Sequence, residues 1–125
     1  MIIGLGIDLV EVGRVERMLE QWSSRLLHRL MEADEQEALV FGEARPRALA
    51  FSIAAKEAAS KAIGTGWSQG VRWRDVVLWT SPDPSIELRG EALLVARRLG
   101  SAGRTRVRLR SMDDLVLAEV WLFSR

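Results

Sequence analysis

The run Ala54-Ala55-Lys56-Glu57-Ala58-Ala59-Ser60-Lys61 lies inside a segment, Pro46 to Gly64, that is written as one long helix. Pro46 suits a first turn, where its missing N–H costs nothing. Gly64 suits the position just past a helix end, where the chain turns left-handed. Between them Ala48, Phe51, Ala55, Ala58, Ala59 and Ala62 form an apolar stripe at helical spacing. Ala50, Ala54, Glu57 and Lys61 form a neighbouring stripe, so two small residues lead up to two charges and leave room beside them. The run also holds the only two lysines of the chain, against sixteen arginines. Lys is a compact point charge suited to a single phosphate oxygen, whereas Arg is a planar fork. Lys56 lies about 100° around the helix from Glu57, and a packing or surface role is expected for it. Taken alone, Glu57 and Lys61 are an ordinary i,i+4 surface pair worth about 0.3–0.5 kcal/mol.

A second unusual stretch opens the chain. Residues 2–12 alternate as a strand, with Ile3, Leu5, Ile7 and Leu9 on one side and Gly4, Gly6 and Asp8 on the other. Two glycines clear space along a face whose next residue is a carboxylate, and glycine in a strand marks close approach of a backbone or ligand. The remainder reads as helices over 14–22 (Val15, Met18, Leu19 and Trp22 apolar), 33–41 (Ala38, Leu39 and Phe41) and 90–99. Strands are expected over 76–79, 86–88, 104–110 and 115–123, with a loop at Gly64–Gly70 and turns at Pro82–Ser85 and Met112–Asp114. The last strand is apolar on both faces except at Glu119, so both faces should be covered, one of them by another subunit.

Composition bounds the chemistry. One domain over residues 1–125 is expected from the length, and 48% apolar with 28% charged residues describes a soluble globular chain. A formal charge of +1 gives no ground for a nucleic-acid binder. Without cysteine, thiolate metal sites and thiol nucleophiles are excluded, and the lone His28 builds no histidine cluster. Asp8, Glu11, Arg14 and Glu16 follow too soon for the apolar N-terminus to be a signal peptide, and no stretch is long enough to span a membrane. The default location is therefore cytoplasmic. Asp8, Glu57 and Lys61 together would make a Mg²⁺–phosphate site, since Mg²⁺ is commonly held by one or two carboxylates plus substrate phosphates. Spacing alone does not bring Asp8 to Glu57.

Gly4-Leu5-Gly6-Ile7-Asp8-Leu9-Val10-Glu11 with Arg14-Val15 resembles the opening motif of the holo-acyl-carrier-protein synthases, the small phosphopantetheinyl transferases. Ala54 through Gly66 resembles their second motif, A-A-K-E-A-x-x-K-A-x-G-T-G, and Trp73-Arg74-Asp75-Val76-Val77-Leu78 is similar to their following strand. The resemblance implies an α+β fold, with an antiparallel sheet against the long helix, usually as a homotrimer with active sites between subunits. It implies transfer of 4′-phosphopantetheine from coenzyme A to a serine of apo acyl carrier protein, releasing 3′,5′-ADP. Asp8 and Glu57 would hold Mg²⁺, Lys61 would contact the attacked phosphate, and Glu57 or a water on the metal would take the serine proton. The Gly64-Thr65-Gly66 turn would lie on the coenzyme A side, and Arg14 would meet the acidic helix of the carrier protein.

Three positions depart from the pattern, all on the side that the family uses for coenzyme A. Ser52 stands where an Arg is common, Pro82-Asp83-Pro84 replaces a basic turn, and Ser111 replaces a histidine. Arg108 and Arg110 could supply replacement cations for the 3′-phosphate, although alternation along a strand points them away from the face of Ser111. These losses leave a second reading open, a weakly active relative that binds a carrier protein, coenzyme A or a partner subunit.

Overall fold

A computed structural model describes residues 1–125. The chain runs β1 (Ile2–Glu11), α1 (Val12–Leu30), α2 (Ala33–Ala38), α3 (Arg45–Ala62), β2 (Val76–Trp79), β3 (Ser85–Leu88), α4 (Gly90–Arg98), β4 (Thr105–Met112) and β5 (Leu115–Phe123). Short 3₁₀ turns occupy Gly42–Ala44 and Trp73–Asp75. The strands form a three-stranded antiparallel sheet, ordered β1-β5-β4, and a separate hairpin of β2 and β3. The architecture is α+β, as expected.

The long helix begins and ends close to where its proline and glycine place it. Pro46 sits in its first turn, Gly64 has φ +84°, and the N–H of Gly66 returns to the carbonyl of Ser60 at 3.1 Å. The helix lies across β1 and β5, and its alanines make a thin seam. Leu49, Ala50, Ala54, Ala55, Ala58, Ala59 and Ala62 are buried against Val116, Ala118, Val120 and Leu122 of β5. The apolar side expected of β1 is the outward one. Leu5, Ile7 and Leu9 are half exposed, while Gly4 and Gly6 face α3. A β-bulge between Ile2 and Gly4 takes Ile3 out of that outward row and packs it on the core.

Two helices differ from the sequence expectation. The first runs from Val12 to Leu30, not 14–22, and is interrupted at Ser23, whose φ is +35°. The interruption rotates the buried side from Val12 and Val15 to Leu26 and Leu30 and leaves Trp22 exposed, which is why a single period ended early. The second stops at Ala38, with Leu39 buried but Val40 and Phe41 exposed. No helix is long and apolar enough to cross a membrane.

Candidate active site

Asp8 reaches α3 because nothing stands between the two backbones. A Cβ on Gly6 would lie 1.7 Å from the Ala58 carbonyl oxygen, and one on Gly4 would lie 2.0 Å from that of Ala62. Those distances allow no side chain, so β1 is pressed onto the helix at the two residues preceding Asp8 on its inner face. In the sheet Asp8 pairs with Ala118, whose small side chain leaves its carboxylate free to turn toward α3. The Lys61 ammonium then donates to Asp8 Oδ1 at 3.0 Å and to the Ile7 carbonyl at 3.1 Å. The lysine side chain remains 51% exposed and the aspartate 19%, so this is a pair at a rim, open to a ligand.

Glu57, one turn before Lys61, opens into the same cleft as Asp8. The cleft has a volume of about 460 Å³, with Asp8, Glu11 and Glu57 as its acidic groups and Arg14 as its cation. Val15, Met18, Ile53 and Trp73 supply its apolar walls. The start of α1 is fixed by the β4–β5 turn. The N–H of Val12 donates to the Asp114 carbonyl at 2.7 Å, and that of Gly13 to the Asp114 carboxylate at 3.2 Å. That anchor sets Arg14 at the mouth of the cleft, exposed to solvent.

The acidic groups are oxygen donors suited to a hard divalent cation. No group of three or more His, Cys, Asp or Glu side chains is gathered to enclose an ion. Asp8 and Glu57 instead offer two carboxylates to an open cleft, the donor set Mg²⁺ accepts when phosphates and waters complete its octahedron.

Other expected residues lie elsewhere. Gly64, Thr65 and Gly66 follow directly on α3, with the Thr65 hydroxyl on the Gly66 carbonyl at 2.9 Å. Arg108 and Arg110 are exposed on β4, on the far side of β5 from β1, and pair across the sheet with Glu119 and Leu117. Ser111 receives a hydrogen bond from Arg47, which also donates to the Asp113 carbonyl at 2.7 Å. Ser52 faces inward. It is buried and donates to Glu35 Oε2 at 3.3 Å.

Sequence reasoning missed Glu35. It is buried between Met31 and Leu39, four residues to either side, and a carboxylate in an apolar stripe requires a cation. That cation is Lys56, fully buried, whose ammonium lies 2.8 Å from Glu35 Oε1. Burial holds the Lys56 ammonium below the usual lysine range, opposed by the charge of Glu35. Elsewhere hydrogen bonds from Arg89 hold the Asp34 and Glu87 carboxyls below their ordinary values, on the surface where α2 meets β3.

Known proteins resemble the chain over nearly its whole length. Residues 4–118 match the 4′-phosphopantetheinyl transferase superfamily. The chain is 39% identical over 125 residues to a holo-[acyl-carrier-protein] synthase of Rhizobium leguminosarum, covering 98% of this chain and 93% of the relative. It is also 39% identical to that of Methylorubrum extorquens, covering 98% and 92%. Among solved structures, the holo-[acyl-carrier-protein] synthase of Neisseria meningitidis superimposes with a TM-score of 0.85 at 28% identity, covering 99% of this chain and 100% of that one. The Bacillus anthracis synthase, solved in complex with coenzyme A (3′,5′-ADP), gives 0.80 at 26% identity, with 100% and 99% covered. With Asp8 of its first motif and Glu57 of its second lining one cleft and its relatives matched over nearly their whole length, the chain belongs to the holo-[acyl-carrier-protein] synthase family of 4′-phosphopantetheinyl transferases.

Proposed function

We propose that this chain transfers the 4′-phosphopantetheine group of coenzyme A to a serine hydroxyl of an apo acyl carrier protein, releasing 3′,5′-ADP. The observation that carries the proposal is the convergence of Asp8 and Glu57 on one cleft, with Lys61 tied to Asp8 at its rim. Asp8 and Glu57 would hold Mg²⁺, which would supply neutralisation of charge on the coenzyme A pyrophosphate. Lys61 has three donors, two of them on Asp8 and Ile7, and the third is available to an oxygen of the phosphoryl group under attack. The serine oxygen forms the new P–O bond as the pyrophosphate P–O bond breaks, and Glu57 accepts the serine proton directly or through one water. Such a transfer depends on positioning and charge neutralisation, which this donor set can supply without a covalent intermediate.

Arg14 at the cleft mouth meets the acidic surface of the carrier protein. The assembly is a homotrimer through the outer face of the sheet. Support comes from the half-exposed row Leu5, Ile7 and Leu9 on β1, next to the partly exposed Leu117 and Trp121 on β5.

The test is direct. The chain is incubated with several apo carrier proteins, coenzyme A and Mg²⁺, and the carrier mass is followed. A gain of one phosphopantetheine group is expected. Folded protein that modifies none of the carriers would overturn the proposal in favour of a binding-only relative, the reading that the lost basic turn at Pro82-Asp83-Pro84 favours.

A further inference from the structure

Trp73 is a wall of the cleft beside Glu57, and its backbone is held from inside the protein by Lys56. The Lys56 ammonium donates to Glu35 Oε1 at 2.8 Å, to the Trp73 carbonyl at 3.3 Å and to the Val76 carbonyl, which uses all three of its donors. Glu35 accepts in turn from Ser52 Oγ at 3.3 Å and from the Leu78 N–H at 3.1 Å. Every member of this buried network is satisfied, and it joins α2, α3, the Trp73–Asp75 turn and β2. On its outer side the same turn is tied by Asp75, which accepts from the Arg72 N–H at 2.9 Å and whose carbonyl accepts from the Arg89 N–H at 2.7 Å.

The indole of Trp73 stacks on Trp67, with ring centroids 4.1 Å apart and planes 22° from parallel. Trp67 belongs to the loop after α3. Both indoles line a second hollow of about 640 Å³, together with His28, Arg29, Arg72 and Arg74. Trp73 is the residue common to the cleft and the hollow. Through it the cleft residues Arg14 and Met18 of α1 and the hollow residue Arg29 of the same helix share one wall.

We propose that Lys56 and Glu35 are positioning residues that set the Trp73 wall, and through it the docking of the carrier protein. The inference rests on the transferase reading given above. A buried ion pair that only stabilised the fold would be an expensive choice, because apolar residues of similar volume often serve equally well. Here the lysine spends two of its three hydrogen bonds on backbone carbonyls at the two ends of the turn bearing Trp73.

The experiment compares wild type with Lys56→Met and with Lys56→Met/Glu35→Met, which removes both charges together. Trp67→Phe identifies the exciton couplet of the stacked indoles in circular dichroism. In folded variants the couplet should weaken, KM for the apo carrier protein should rise about tenfold, and KM for coenzyme A should change by less than about twofold. A couplet and a carrier KM both unchanged in a cooperatively folded variant would overturn the proposal. So would equal rises in both KM values, which is what loosening of the whole site would give. If neither methionine variant folds, Glu35→Gln, which keeps shape and one acceptor, must show the same pattern at smaller amplitude, and its absence would overturn the proposal. The couplet needs no turnover, so a wild type without transfer activity would defeat the transferase reading and leave the couplet to decide this one.

Discussion

Lys56 and Lys61 carry the same ammonium into opposite surroundings. One is sealed in the core on Glu35, and the other is half exposed on Asp8. The division was half legible from helix geometry, because Lys61 shares the Glu57 stripe and Lys56 does not. What the sequence could not reveal was the destination of Lys56, since Glu35 lies 21 residues away on another helix. The substituted positions divide in the same way. Ser52 turned out to be an interior residue on Glu35, and Ser111 is engaged by Arg47. Neither serine is itself a cation, the Arg47 guanidinium beside Ser111 is committed to that hydroxyl and to the Asp113 carbonyl, and Arg108 and Arg110 stand out on the far edge strand. Replacing coenzyme A by 3′-dephospho-coenzyme A should therefore change kcat/KM by less than roughly threefold. A charge-assisted contact to the 3′-phosphate would be worth about 1.5–3 kcal/mol, tenfold or more, and a preference that large would point to one of these arginines as its partner.

At the scale of the element, the site depends on how closely β1 approaches α3. The alternation of Gly4, Gly6 and Asp8 announced a close approach, and the partner is the helix backbone itself. Ala58 and Ala62 contribute the carbonyls that a side chain would strike. Gly6→Ala should lower stability by about 3 kcal/mol or more, because backbone cannot yield as a flexible side chain would. It should also displace Asp8 from Lys61. Thermal unfolding measures the first effect, and a melting temperature equal to wild type would refute this packing. The helix ends were readable where Pro46 and Gly64 mark them. At Ser23 the expected helix stopped where the chain breaks, and only its continuation to Leu30 was not readable, because beyond the break a different face is apolar.

At the scale of the whole molecule, the sheet has one face sealed by α3 and another that is incompletely covered. Val116, Ala118, Val120 and Leu122 are buried beneath the helix. Leu5 and Trp121, paired across the sheet, face outward. The doubly apolar β5 made an open face predictable, although nothing in one chain's periodicity states how many copies close it. A trimer is expected by sedimentation velocity, and Leu5→Glu should dissociate it without unfolding the monomer. A wild type that sediments as a monomer would contradict this arrangement. If Asp8, Glu57 and Lys61 form one working site, it should fail as a unit in Glu57→Gln, followed in the carrier mass assay with Mn²⁺ binding read in parallel. Transfer and metal binding should both be lost while the melting temperature stays that of wild type. A folded Glu57→Gln variant that still loads the carrier at the wild-type rate would show that Glu57 is not part of the working site.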